Sequence, residues 1–388
     1  MKILMTTSFY PPFHIGGDAT NVKLLAEALS KGHEVHVLHS MDAYNLKKKE
    51  RRKVEDSEGI LTVHTMHSPL GRLEPIMNYC IGSRSYTLNF FRRLVEQEGF
   101  DVVHHHNISL LGYGLLRKTG NYKNIYTAHD YWLICPKYDL FVNKGICTKR
   151  ACIGNCLPCC AAHKKPYQLF RHTSAFNRAI KDIDTIIAPS DFMKARLSRQ
   201  LKKRIETLHY FVPEPAVQER VDGEEYFIYA GVLEHHKGLM NLVKVFSRLP
   251  HLRLFIAGSG SLYSRIKKTK TRNVFLLGWR NHDDLFRLLA NAQALIMASI
   301  CPENMPMVAI EALSLGTPVI GSDKGGIPEI VSKIDKQLIF KSHDLEGLAN
   351  ILRSFKRKDY PRSKLREIHQ EYFSPKNYLR GYEKIITS

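Results

Sequence analysis

Long apolar runs are missing from this chain: nowhere do the roughly 18 consecutive apolar residues that a membrane-crossing helix needs occur. Internal repeats and low-complexity tracts are missing too, which argues against repeat architectures and a disordered tail protein. The opening MKILMTTSFYPP is interrupted at Pro11 and Pro12, too soon for a signal peptide, so the chain is expected to stay in the cytoplasm. Acid is scarce: 37 Asp and Glu stand against 57 Lys and Arg, for a formal charge of +20. That excess predicts an anionic partner, which leaves nucleic acid, an anionic membrane surface or a phosphorylated substrate. The cations gather in KKKERRK (Lys47 to Lys53), KARLSRQLKKR (Lys194 to Arg204) and KRKDYPRSKLR (Lys356 to Arg366). Each run taken singly is adequately explained as a solvated helix face or loop. They lie on several elements and no nucleic-acid module accompanies them, so nucleic acid is disfavoured as a partner.

What is present is enough apolar residue for two cores, 44% of 388 residues. Short β-branched runs alternate with amphipathic segments, the pattern of βαβ units and a parallel sheet. In the first half KILMT, HEVHVLHS, DVVHHHN, NIYTAHD and DTIIAPS read as strands, and TNVKLLAEALSK reads as a helix that Gly32 ends. After Tyr210 to Tyr226, a Pro-containing charged stretch without period that reads as a linker, come FIYAG, LRLFIAG, NVFLLG, ALIMAS and TPVIGS. The expected organisation is an N-terminal Rossmann-like domain over residues 1–209, a linker over 210–226, and a second Rossmann-like domain over 227–370. A final helix over 371–388 is expected to cross back to the first domain. Two doubly wound α/β domains then face a central cleft, with the site at their strand C-terminal ends.

The stretch CPENMPMVAIEALSLGTPVIGSDKGGIPEI (Cys301 to Ile330) concentrates the chemistry. Asn304 reads as an N-cap, Pro306 is tolerated in a first turn and Gly316 with Pro318 marks an end, predicting a helix from about Met305 to Leu315. Glu303 then lies at the helix mouth, with Glu311 roughly 12 Å further along its axis. Two acids so spaced suit an elongated ligand with sugars on both sides of a pyrophosphate, the phosphates meeting the free N–H groups between them. An E-x7-E spacing by itself arises by chance in many chains.

That whole string resembles the donor-binding segment of the retaining GT-B glycosyltransferases of family 4, and the resemblance runs across nearly the full chain. SFYPPFHIGGDATNVKLLAEALSKGHEVHVL resembles the family's opening strand, glycine-rich loop and helix, which implies that the backbone of Gly16 and Gly17 closes over the donor diphosphate. NIYTAHDYW matches the strand that delivers the family's active-site histidine, here His129, with Asp130 behind it and His106 and Asn107 near the acceptor. The same likeness implies that Glu303 holds the hexose hydroxyls, Glu311 the ribose, and Asn304, Met305 and Pro306 the donor. YAGVLEHHKG keeps the family's lysine as Lys237 but has Val232 where an arginine is usual. Either Arg280, His235 or His236 compensates, or the donor is held differently, or the enzyme is slow. The resemblance implies a hexosyl transfer from a nucleotide diphosphate sugar to a glycan or lipid-linked glycan, with retention of configuration and no catalytic metal. An epimerase-like reaction of the same fold is the runner-up.

Three further signals stand apart. His104, His105 and His106 are strand neighbours that alternate faces, so they cannot converge on one ion. Six of eight cysteines, Cys135, Cys147, Cys152, Cys156, Cys159 and Cys160, lie in an expected insertion over 135–160. In a reducing compartment that clustering suggests a structural zinc site before an iron–sulfur centre, although the spacings match no standard zinc pattern and free thiols packed in a loop would also explain them. KKPYQLFRHTSAFNRAIK (Lys164 to Lys181) interleaves aromatic and basic residues and reads either as a core helix with a cationic face or as a surface lying on anionic lipid.

Overall fold

The computed structural model describes residues 1–48, 61–82, 85–142, 145–215 and 225–388. Most of the basic run from Lys47 to Lys53 and much of the expected linker thus lie outside the described residues. Seven strands form the first sheet: β1 (Lys2–Thr6), β2 (Glu34–Ser40), β3 (Leu61–Met66), β4 (Val102–His105), β5 (Lys123–Thr127), β6 (Thr185–Ala188) and β7 (Ile205–Thr207). Their order is β3-β2-β1-β4-β5-β6-β7, every pairing parallel. A second parallel sheet is built from β8 (Phe227–Ala230), β9 (Leu254–Ala257), β10 (Val274–Gly278), β11 (Leu295–Met297), β12 (Val319–Ser322) and β13 (Ile339–Phe340), in the order β10-β9-β8-β11-β12-β13. These are the two Rossmann-like sheets expected of a GT-B chain. Sequence reading passed over β3 because its residues are only half-buried, and over β7 and β13 because they are very short.

Helices cover both faces of the first sheet, so its central strands β1, β4, β5 and β6 are buried on both faces. Alternation along β1 sends Ile3 and Met5 to one core, with Val22, Leu25 and Val35, and Leu4 to the other, with Val103, Tyr126 and Trp132. The C-terminal helix Pro375–Thr387 buries Tyr378, Tyr382, Ile385 and Ile386 in the first of these cores, beside Phe211. Its partner helix Arg362–Phe373 packs on the second domain through Leu365 and Phe373. The chain therefore crosses between domains at two places, which touch where the Val212 amide donates to the Phe373 carbonyl at 3.2 Å. Tyr210 and Val212 join the second domain's core while Phe211 joins the first's, so this part of the expected linker is packed between the two domains.

The stretch Lys164 to Lys181 divides. Its helix Ser174–Lys181 buries Phe176, Ala179 and Ile180; Phe170 is in the same core, and Arg171 lies buried 5.7 Å over the Trp132 ring. Phe170 and Phe176 are core, while Lys164, Lys165, Pro166, Leu169, His172 and the polar helix face look outward. Among the described residues, no helix is long and apolar enough to cross a membrane.

Candidate active site

Loops at the C-terminal ends of β1, β4, β5, β8 and β11 bring the expected residues to one cleft, where parallel α/β sheets bind ligands. On the second domain, the turn after β8 carries Lys237. Gly238 follows it at φ 71°, and a Cβ there would stand 1.9 Å from the Ala298 carbonyl oxygen, so only glycine lets this turn press against the end of β11. Lys237 Nζ reaches Glu303 Oε1 at 2.6 Å, and Ser299 Oγ donates to the same oxygen at 2.5 Å. Glu303 Oε2 has no partner among the described residues, so one oxygen fixes the side chain and the other is left for a ligand. Gly325 and Gly326 hold Glu303 and Asn304 from behind. A side chain on Gly325, at φ 65°, would strike the Glu303 backbone, and one on Gly326 would strike the Asn304 carbonyl.

The helix begins two residues later than the sequence suggests, at Met307, with Pro306 as N-cap, and runs to Ser314. Pro306 has no amide to donate and Asn304 does not cap. Its Nδ2 instead donates across the cleft to the His129 carbonyl at 2.5 Å. Met305 is buried in the second domain's core, between Asn304 and the helix N-cap Pro306. Glu311 is partly buried and makes no hydrogen bond or ion pair through its carboxyl among the described residues; burial pushes it up to about 7. A carboxyl enclosed without a partner is poised to accept hydrogen bonds from a ligand.

Facing this helix is the N-terminus of Gly17–Leu29, whose N-cap Gly16 sits at φ 88°. A Cβ on Gly17 would lie 3.9 Å from Met307, and Asn21 Nδ2 reaches Met307 Sδ at 3.9 Å. Two helix N-termini therefore point into the cleft; among the described residues the amides of Gly17 and Met307 make no hydrogen bond, while those of Ala19 and Ala309 are taken by Asp18 and Pro306, and both ends carry the positive pole of a helix dipole suited to phosphate.

The first domain's polar residues are tied to one another. His106 Nδ1 meets His129 Nε2 at 2.8 Å, and His129 Nδ1 meets the Tyr210 hydroxyl at 2.5 Å, so both ring nitrogens of His129 are engaged. Burial holds His129 down near 4 and His106 well below the ordinary histidine range, leaving both rings neutral. His104 and His106 share a strand face, with ring centres 4.0 Å apart, while His105 turns away to Thr6; the three do not converge. His104 Nδ1 reaches the Tyr382 hydroxyl of the C-terminal helix at 3.0 Å. Asn107 donates to Asp18 at 2.8 Å. Asp130 accepts from the Trp132 amide at 2.8 Å, and burial pushes its carboxyl up to about 7.

The chain's own sequence concealed several of these partners. Asp18 sits beside the glycine pair and Tyr210 opens the supposed linker, and each acts through a residue far away in sequence, Asn107 and His129, while Ser299, just past β11, acts on Glu303 four residues on. Glu329, within the quoted donor segment, accepts from the amides of Asp191 and Phe192 at 2.9 and 2.8 Å and so caps a first-domain helix from the second domain; His209 lies 3.3 Å from the same carboxylate. Of the residues offered in place of the missing arginine, Arg280 and His235 are exposed, while His236 uses its carbonyl to accept from the Ile300 amide; Val232 itself is exposed.

The six cysteines are not brought to one point. Cys135, Cys147, Cys156 and Cys159 line a cavity of about 280 Å³, Cys152 is exposed and Cys160 is buried outside it. Tetrahedral zinc with bonds of roughly 2.3 Å holds its sulfurs roughly 3.8 Å apart. Among the described residues, no three of these thiols have their sulfurs within 4.8 Å of one another in this structure.

Comparison with known proteins agrees with this geometry. The profile of Glycosyltransferase Family 4 matches residues 15–214, and that of Glycosyl transferases group 1 matches residues 213–372. An uncharacterised glycosyltransferase of Methanocaldococcus jannaschii is 24% identical over 340 residues, covering 85% of this chain and 81% of that one. Sucrose-phosphate synthase from Thermosynechococcus elongatus superposes with a TM-score of 0.71 at 17% identity, over 99% of this chain and 98% of that one. Anabaena HepE, solved in complex with UDP, superposes with a TM-score of 0.65 at 14% identity over the full length of both. With its first half matched from the glycine loop to the end of the sheet and its second half matched through the two glutamates, the chain belongs to Glycosyltransferase Family 4.

Proposed function

We infer that this chain is a retaining hexosyltransferase that takes a hexose from a nucleotide diphosphate sugar and gives it to a glycan or lipid-linked glycan in cell-surface polysaccharide or glycolipid synthesis. The observation that carries this reading is the pair of acids: among the described residues, Glu303 has one oxygen held by Lys237 and Ser299 and the other unused, and Glu311 is enclosed without a partner further along the same segment. Glu303 Oε2 is assigned to the hexose hydroxyls, Glu311 to the ribose diol, and the amides of Gly17 and Met307 with Lys237 Nζ to the diphosphate between them. As the sugar–phosphate bond breaks, negative charge grows on the departing phosphate, and fixed cations and amides stabilise it without reorganising. The acceptor hydroxyl attacks from the face the phosphate leaves, and the phosphate oxygen takes its proton. His129 is neutral and bound at both ring nitrogens, so it is assigned the shape of the sugar pocket, not a proton transfer. No metal enters these steps, and the enzyme is read as working at the cytoplasmic face of a membrane.

Thermal-shift titration with UDP, GDP, ADP and TDP and their common sugars tests the donor site. One nucleotide series is expected to stabilise wild type and not Glu311→Ala; no stabilisation by any of them sinks the transferase reading. Product NMR then checks the anomeric configuration, and a β product from an α donor would exclude retention.

A further inference from the structure

The helix Leu73–Cys80 is folded inside out. Its polar residues are buried: Glu74 is 1% exposed and Asn78 2%. Glu74 Oε1 accepts from the amide and hydroxyl of Thr87, each at 2.9 Å, and Asn78 Nδ2 donates to the Leu110 carbonyl at 3.2 Å and to Thr87 Oγ1 at 3.1 Å. Its apolar residues face water, with Leu73 61% exposed, Ile76 44%, Met77 40% and Ile81, just past its end, 53%. The spacing 73, 76, 77, 81 is one helical stripe. A solvent-facing stripe of large aliphatic residues on a helix whose polar face is locked inward marks an interaction surface.

The charge around this stripe names what covers it. Between Glu74 and Glu96 the sequence has no Asp or Glu, and between Asp139 and Asp182 it has none either. The fold brings the two acid-free tracts together: the Tyr79 hydroxyl donates to the Pro166 carbonyl at 3.1 Å, and the Gly82 backbone packs on Phe170. Exposed Lys164 and Lys165 stand beside that junction with exposed Leu169, while Arg92 shares a groove with Leu70 and Met77. An apolar stripe bordered by cations, with Glu74 turned inward onto Thr87, matches an anionic bilayer, into which aliphatic side chains insert while lysines meet headgroups. The helix follows the C-terminal end of β3, the end of the sheet that faces the cleft. We propose that the face formed by Leu73, Ile76, Met77 and Ile81 with Lys164 and Lys165 docks this enzyme on anionic lipid, setting the cleft against the membrane. The proposal rests on the reading that the acceptor is lipid-linked.

Flotation of the full chain with vesicles of phosphatidylcholine and phosphatidylglycerol, roughly three to one, is compared with flotation on phosphatidylcholine alone. Wild type is expected to float with the anionic vesicles. Leu73→Ser with Ile76→Ser is expected to lose about tenfold or more of that partitioning, and Lys164→Glu with Lys165→Glu to lose several-fold. Because these side chains are exposed, circular dichroism melts and nucleotide thermal shifts of both variants should match wild type. No flotation of wild type, or a serine variant that floats as well as wild type, overturns the proposal. So does a dimer by light scattering that the serine variant converts to monomer, since the face would then belong to a second copy. Nucleotide stabilisation without flotation removes the docking face and leaves the transferase reading; flotation without nucleotide stabilisation does the reverse.

Discussion

The two walls of the cleft treat their polar groups in opposite ways. Among the described residues, Glu303 on the second domain keeps an unused oxygen and the Glu311 carboxyl has no partner, while on the first domain both ring nitrogens of His129 are engaged, by His106 and Tyr210, Asn107 engages Asp18, and only the far ring nitrogen of His106 in that chain is left over. Unsatisfied polar groups in a partly buried place are unfavourable unless a ligand completes them. The second domain thus presents carboxylate oxygens that a ligand could complete, and the first presents a histidine held from both sides. One contact joins them in this structure at the reacting end, from Asn304 to the His129 carbonyl.

The largest expected effect comes from opening the one paired group on the ligand-binding wall. Lys237→Ala should lower kcat roughly 100- to 1,000-fold, as losing one positioned charge stabiliser does, measured by steady-state kinetics. An unchanged kcat would mean that Lys237 serves only to hold Glu303.

Next comes Glu311. Its folded carboxyl titrates near 7 against an ordinary 4.5, so the stability it contributes is fully present below about 4.5 and lost as pH rises through about 7. Replacing it by neutral glutamine removes that loss. Glu311→Gln should be more stable than wild type at pH 8, by on the order of 2 kcal/mol, with little difference at pH 4. Parallel melts across pH 4 to 8 would refute enclosure of this carboxyl, and with it half of the contrast between the walls.

The smallest effect is expected on the closed wall. Tyr210→Phe removes the hydroxyl from His129 Nδ1 and should cost about 1 kcal/mol in denaturant melts. If His129 only shapes the pocket, KM should shift while the pH profile of kcat stays put. A moved pH profile would give His129 a proton to carry, and the contrast would need redrawing.

The parallel sheets were legible because strands buried on both faces are spelled as unbroken Val, Ile and Leu runs. The half-buried β3 and the two-residue β13 lack that spelling. The glutamate pair was legible because both acids lie on one short segment. Asn304 was misread as a cap because capping is judged from local sequence, and the carbonyl it binds is 175 residues away. The cysteine spacing did not fix the sulfur geometry in the same way: four of the six line one cavity, and among the described residues no three sulfurs come within 4.8 Å of one another. Of the two readings of Lys164 to Lys181, the helix Ser174–Lys181 follows the core-helix one, with Phe170 and Phe176 inside, while the Leu73 stripe, flanked by buried Glu74 and Asn78, faces outward without any signal in its own short sequence.

By itself the sequence determined the two-sheet α/β architecture, the family and the segment that carries Glu303 and Glu311, because periodicity and short motifs are local and survive in one dimension. Only the tertiary structure decided which carboxylate oxygen is left unused, that His129 is bound at both nitrogens, and which apolar stripe meets solvent. Those outcomes depend on partners brought from far along the chain, and on burial, which no short stretch of residues encodes.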